Sequence, residues 1–119
     1  MIENLAIVAD DLTGAIDTAG VFASVGMAAY VSLSTSTRPR HSEFDVLCVD
    51  TGTRYVPATE AAARVREETE TLLSAGRSRL YKKIDSTLRG NVAAETAAIL
   101  HASKAPFAFV APAFPATGR

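Results

Sequence analysis

The chain has a single cysteine, no stretch long and apolar enough to span a bilayer, and charges that almost cancel: 12 Lys and Arg against 13 Asp and Glu, for a net charge of −1. Each shortage excludes something. One cysteine, Cys48, rules out an internal disulfide and fits a reducing cytoplasm. It lies in the apolar run Val46-Leu47-Cys48-Val49 and behaves there as a small buried hydrophobe rather than a catalytic thiol. The charge balance gives no bulk electrostatic case for nucleic acid or a membrane surface as partner. The start, Met1-Ile2-Glu3-Asn4, lacks the basic region of a signal peptide. Neither a Walker-type G-x-x-x-x-G-K-[ST] nor a G-x-G-x-x-G occurs, no cluster has metal-ligand spacing, and there is no repeat. His41 and His101 sit in a polar loop and at a helix end, as bystanders.

What is present is the composition of one globular domain, 48% hydrophobic and 21% charged over 119 residues. Apolar strands at Leu5–Ala9, Ala28–Leu33, Asp45–Val49, Leu80–Ile84 and Phe107–Ala111 alternate with helical patterns at Thr13–Val25, Pro57 to Gly76, and Val92–Ala102. Thr13 is the expected N-cap of the first helix, with Gly26 closing it. The second helix should bury Ala62, Val65, Thr69, Leu72 and Leu73, with Glu60–Arg64 as an i,i+4 pair. The pattern predicts an α/β fold with three layers, a mostly parallel sheet of about five strands and helices on both faces. The link at 34–42 is too short for a crossover helix. It predicts a single helical turn, or a second and third strand that are antiparallel or not neighbours.

In a parallel sheet the loops after the strands share one edge, where ligands bind. Four such loops carry polar groups: Asp10-Asp11-Leu12-Thr13-Gly14, Asp50-Thr51-Gly52-Thr53-Arg54, the stretch Lys82-Lys83-Ile84-Asp85-Ser86-Thr87-Leu88-Arg89-Gly90-Asn91, and Pro112 to Arg119. The third is the richest. It runs from a strand into a helix whose free N–H groups and dipole favour an anion. Strand alternation sends Lys82 and Lys83 to opposite sides, and Lys83 is the better placed for a ligand. Arg89 adds a second cation, and Gly90 allows close backbone approach. Asp85 either meets substrate or orients Arg89 and Lys83. Of the adjacent Asp10 and Asp11, one should face the crevice as a partner for substrate hydroxyls. Asp17 should support the first helical turn. Arg54 can fork onto a ligand carboxylate or pair with Asp50. Asn91 is the expected N-cap of the third helix.

Two functions from different classes suit these residues. A response-regulator receiver has an acidic pair after its first strand (here Asp10 and Asp11), an acceptor aspartate after its third (Asp50) and a hydroxyl after its fourth (Ser86 or Thr87). It fails after the last strand, where Ala111-Pro112 stands in place of lysine. The second function is a site for a hydroxylated carboxylic acid, and here three motifs resemble a known family. Val8-Ala9-Asp10-Asp11-Leu12-Thr13-Gly14-Ala15, Lys83 to Asn91, and Ala111-Pro112-Ala113-Phe114-Pro115-Ala116-Thr117-Gly118-Arg119 are similar to the N-terminal domain of the four-carbon acid sugar kinases. Gly52 departs from the pattern, standing where that family's strand-three segment calls for an acidic residue.

The resemblance implies ATP-dependent phosphorylation of the terminal hydroxyl of threonate, erythronate or 3-oxo-tetronate, with magnesium bridging the ATP phosphates. It implies that residues 1–119 are the N-terminal part of a sugar-acid-binding domain and that a C-terminal nucleotide-binding domain is absent from the chain. The turn-rich end accordingly predicts a further element. By the same resemblance Lys83, Arg54 and Arg89 would hold the substrate carboxylate or screen phosphoryl charge. Asp10, Asp11 and Asp85 would bind hydroxyls, and Ser86 and Gly90 would line the site. No catalytic base is assigned.

Overall fold

A computed structural model describes residues 4–33 and 43–119. The elements run β1 (Leu5–Ala9), α1 (Leu12–Ser24), β2 (Ala29–Leu33), β3 (Val46–Asp50), α2 (Ala58–Ser74), β4 (Arg79–Lys83) and α3 (Val92–Ser103), followed by a 3-10 turn at Pro115–Thr117. The four strands form one parallel sheet in the order β2-β3-β1-β4. The expected layering holds, because every residue of β1 and the first four of β3 are buried, as strands covered on both faces must be.

The alternation of side chains along β1 divides the core in two. Leu5, Ile7 and Ala9 join Val46, Cys48 and, from α1, Ala15 and Ala19 on one face. Ala6 and Val8 join Leu47 and Val49 with Val65 and Leu72 of α2 and Ile99 of α3 on the other. The same alternation governs β4. Lys82 is in register with Val8 and so faces the α2–α3 layer, while Lys83 is in register with Ala9 and faces α1.

Several boundaries differ from the sequence expectation for physical reasons. Asp11, not Thr13, caps α1, its Oδ1 accepting from Gly14 N at 2.9 Å. The buried row of α2 is Ala61, Val65, Thr69 and Leu72, so Ala61 replaces Ala62 and Leu73 is only half-buried. The pair β2 and β3 is parallel and adjacent. It is pinned at its start by Ala28 N donating to Asp45 Oδ2 at 2.8 Å and by Asp45 N and Val46 N donating to Ala28 O. The 34–42 link between them, with His41, lies outside the described residues.

Among the described residues there are four strands, not five. Phe107–Ala111 joins no sheet, and Phe109 is 92% exposed. Apolar content makes a strand only where a face can be buried. Phe107 and Phe109 meet each other edge to face at 5.4 Å instead. Between this segment, β4 and α3 lies a cavity of about 530 Å³ lined by Leu80, Ile84, Ile99 and Leu100 among others. At the sheet end remote from the loops, the buried Arg77 donates to the carbonyls of Leu5, Phe44 and Asp45, tying the beginnings of β1 and β3 together. No helix among the described residues is long and apolar enough to cross a membrane.

Candidate functional site

The sheet register places Ala9, Asp50 and Lys83 in one row, so the loops after β1, β3 and β4 leave the sheet together. They meet around Asp10. Its backbone carbonyl accepts from both Thr53 N (3.0 Å) and Arg54 N (3.2 Å), which folds the β3 loop over the end of β1. The Arg54 guanidinium then forks onto Asp10, Nε to Oδ2 and Nη2 to Oδ1, each at 3.0 Å, and its Nη1 reaches Asp11 Oδ2 at 2.9 Å. The Arg54 side chain is 8% exposed and that of Asp10 3%. Hydrogen bonding to Asp10 raises the Arg54 pKa further, so the arginine at the centre of this triad stays charged. Both aspartates of the pair thus turn to the same arginine, Asp10 buried and Asp11 partly exposed. Asp50 is not the partner of Arg54, because its Oδ1 accepts from Gly52 N at 2.8 Å.

The β4 loop closes over this triad. Gly90 adopts φ +91°, a left-handed conformation suited to glycine. A Cβ there would lie 2.6 Å from Asp10 Oδ2 and 3.4 Å from Arg54 Cγ. The close approach, as well as the backbone angle, therefore demands glycine. Within the loop Asp85 is buried and accepts from Arg89 Nε (3.0 Å) and Nη2 (2.9 Å), from Arg89 N, and from the amide and hydroxyl of Thr87. These bonds, that from Arg89 foremost, hold the Asp85 carboxyl well below the usual carboxylate range. Asp85 does not bond Lys83. The Lys83 stem instead crosses the first turn of α1, its Cγ 3.3 Å from where a Gly14 Cβ would stand and its Nζ donating to Ile84 O at 2.6 Å. Ser86 stands at the rim, its Oγ 3.4 Å from Arg119 Nη1, the one hydrogen bond from the last loop to this cluster among the described residues. Asp17 is exposed on α1.

Beneath the triad lies a polar layer that the sequence did not single out. Glu95 of α3 is 1% exposed and accepts from Thr53 Oγ1 at 2.7 Å; Thr53 in turn meets Thr51 Oγ1 at 2.8 Å. Lys82 Nζ stands 3.6 Å from Glu95 Oε1 and donates to Lys83 O at 2.9 Å. Burial pushes the Glu95 carboxyl up and the Lys82 ammonium down, each opposed by the other's charge. Asn91 occupies the N-cap position of α3, but its side chain does not cap. Its amide donates to Thr53 O and Val56 O, tying the β3 loop to the helix. A glutamate within an alanine-rich helix carries no local sign of burial. Only the tertiary pairing of Lys82 with the α3 face reveals it.

The edge thus brings together two arginine–carboxylate forks, a lysine and a hydroxyl beside Gly90, an arrangement suited to a small polar ligand bearing both charge and hydroxyls. Among the described residues no group of His, Cys, Asp or Glu could hold a metal ion. The acidic side chains are already engaged: Asp10 and Asp11 with Arg54, Asp85 with Arg89, and Glu95 with Thr53 and Lys82. This donor set does not fit a magnesium–nucleotide complex.

The fold and this edge define a ligand-binding α/β domain. More particularly, the chain belongs to the sugar-binding N-terminal domain family, whose model matches residues 5–119. It is 51% identical over 114 residues to the D-threonate kinase of Cupriavidus necator, covering 95% of this chain and 27% of that protein. It is 48% identical over 120 residues to the D-threonate kinase of Bordetella bronchiseptica, covering 97% and 30%. A crystal structure from Bordetella bronchiseptica, a domain-swapped dimer with bound citrate, is 46% identical and superposes with a TM-score of 0.78 over 83% of this chain and 26% of its own. The chain therefore spans under a third of the length of the curated relatives it matches. The family assignment sets the receiver reading aside.

Proposed function

We propose that the chain is the substrate-binding portion of an ATP-dependent kinase that phosphorylates the terminal hydroxyl of a four-carbon sugar acid, with D-threonate the first candidate. Residues 1–119 would form the N-terminal part of the sugar-acid-binding domain, working in the cytoplasm. ATP and magnesium would be held mainly by a C-terminal nucleotide-binding domain outside residues 1–119. The observation that carries this reading is the convergence of Lys83, the Arg54 triad and the Arg89–Asp85 fork on one sheet edge, joined to the similarity with two D-threonate kinases.

Within that edge, Lys83 and Arg89 carry the positive charge that meets the carboxylate or screens the incoming phosphoryl group. Asp11 and Ser86 are partly exposed and suit substrate hydroxyls. Asp10, Arg54, Asp85 and Gly90 form the floor that sets the spacing of the others. A bound citrate in the relative from Bordetella bronchiseptica agrees with a preference for small hydroxy acids.

Calorimetric titration of the 119-residue chain tests the reading. D-threonate should bind, D-erythronate and 3-oxo-tetronate more weakly, and MgATP should give no saturable heat. ATP-dependent turnover by this chain alone, or no binding of any of the three acids, overturns it.

A further inference from the structure

The Arg54 guanidinium is held by Asp10 and Asp11, and its backbone by the loop that carries it. That loop is held at its backbone by Ala9 O, Asp10 O and Asn91, and by two threonine side chains, Thr51, whose hydroxyl donates to Ala9 O at 3.0 Å, and Thr53, whose hydroxyl donates to Glu95. Glu95 in turn stands 3.6 Å from Lys82, whose Nζ bonds the carbonyl of Lys83. One buried carboxylate therefore touches the supports of both cation-bearing loops, the β3 loop of Arg54 and the β4 end of Lys83. Neither Glu95 nor Lys82 opens on the crevice, with side-chain exposures of 1% and 10%. A buried carboxylate carries a desolvation cost that an alanine-rich helix would avoid with an apolar residue. The atoms it bonds are the compensation present in the structure.

We propose that Glu95 is a positioning residue for the ligand site, acting through Thr53 on Arg54 and through Lys82 on Lys83, a role that rests on the sugar-acid reading for its consequence but not for its geometry. Replacing the carboxylate with an apolar group leaves the Thr53 hydroxyl with its Thr51 contact alone, loosens the β3 loop and lets the Arg54 fork part from Asp10. Replacing it with an amide keeps an oxygen acceptor for Thr53.

Two measurements on the full chain separate the geometry from the substrate. The first is the rate at which phenylglyoxal modifies Arg54, followed by peptide mass spectrometry, with the exposed Arg89 as internal control. Glu95→Leu and Thr53→Val should each speed Arg54 modification about tenfold over the wild type, Glu95→Gln should stay near wild type, and the Arg89 rate should not move. The double variant Glu95→Leu/Thr53→Val should be no faster than either single one, because both act on the same bond. An unchanged Arg54 rate in folded Glu95→Leu, or in Thr53→Val should Glu95→Leu fail to fold, overturns the proposal whatever the substrate. The second is calorimetric affinity for D-threonate at a temperature where every variant is folded. About tenfold weakening in Glu95→Leu with Glu95→Gln near wild type supports the positioning role, and equal affinity in all of them overturns it. A wild-type chain that binds no sugar acid removes the substrate reading alone and leaves the Arg54 rates to decide the proposal.

Discussion

Arg54 and Arg89 each fork onto a carboxylate with bonds of about 3 Å, yet the Arg54 side chain is 8% exposed and that of Arg89 is 56% exposed. Arg54 is wedged between Asp10 and Asp11 under the Gly90 loop, and releasing it would leave a buried carboxylate without its counter-charge. Arg89 lies on the outside of its loop, and only its partner Asp85 is buried. The same pair of residue types thus serves two ends. One fork is part of the frame, and the other joins a surface cation to a carboxylate that keeps the Thr87 amide and hydroxyl and the backbone N–H of residue 89 as donors, so this arginine can trade some of its bonding for a ligand at a smaller cost than Arg54.

The comparison can be broken most directly at the buried fork. Arg54→Met should cost about 3–5 kcal/mol, since it strands Asp10 in the interior; urea denaturation measures it, and a loss below 1 kcal/mol would make the two forks equivalent. Next come two glycines with the same sign of φ but different surroundings. Gly90 at +91° faces Asp10 and Arg54, whereas Gly52 at +61° has nothing within 4 Å of where a Cβ would stand. Gly90→Ala should cost about 2 kcal/mol or more, from backbone strain plus displacement of Asp10, and Gly52→Ala about 1 kcal/mol from strain alone. Equal shifts in thermal midpoint would mean the close approach at Gly90 carries no energy.

At the exposed fork the readout moves from stability to binding. Arg89→Met should weaken D-threonate affinity about tenfold and lower the thermal midpoint less than Arg54→Met does, because Asp85 keeps the Thr87 amide and hydroxyl and the backbone N–H of residue 89 as donors. A large fall in midpoint would place Arg89 in the frame beside Arg54. The smallest effect concerns acid. The folded Asp85 carboxyl is depressed, so the stability it contributes is present above its unfolded value near 4 and is lost as pH falls below it. Asp85→Asn should therefore be less stable than wild type at pH 6, with the gap closing as the pH is taken toward 2. A gap that is constant across that range would exclude ionisation as the source.

Much of the frame was legible because it follows from local pattern. The continuous apolar runs of β1 and β3, the strand–helix alternation and the Glu60–Arg64 pair all appear as expected. The edge carrying the polar loops was legible for the same reason, since topology alone puts strand ends together. What failed depended on distance along the chain. Arg54 pairs with residues 44 and 43 positions away rather than with its neighbour Asp50. Asn91 looked like a cap and instead ties down a loop from another strand. Glu95 gave no signal, and Phe107–Ala111 has strand composition without a face to bury. Strand alternation, by contrast, separated Lys82 from Lys83 correctly, because a two-residue period survives any tertiary context.

Cys48 is buried between β3 and α1, and its thiol, donating to Ala15 O at 3.4 Å, is pushed up to about 12 by that burial. With no other thiol in the sequence, the molecule offers no reactive thiol to maleimides or iodoacetamides at neutral pH. A thiol-reactive dye placed by Ser86→Cys at the rim, or by Tyr55→Cys on the exposed β3 loop, would therefore report from one known position, and the fold arrives already prepared for fluorescence titration of whatever enters the crevice.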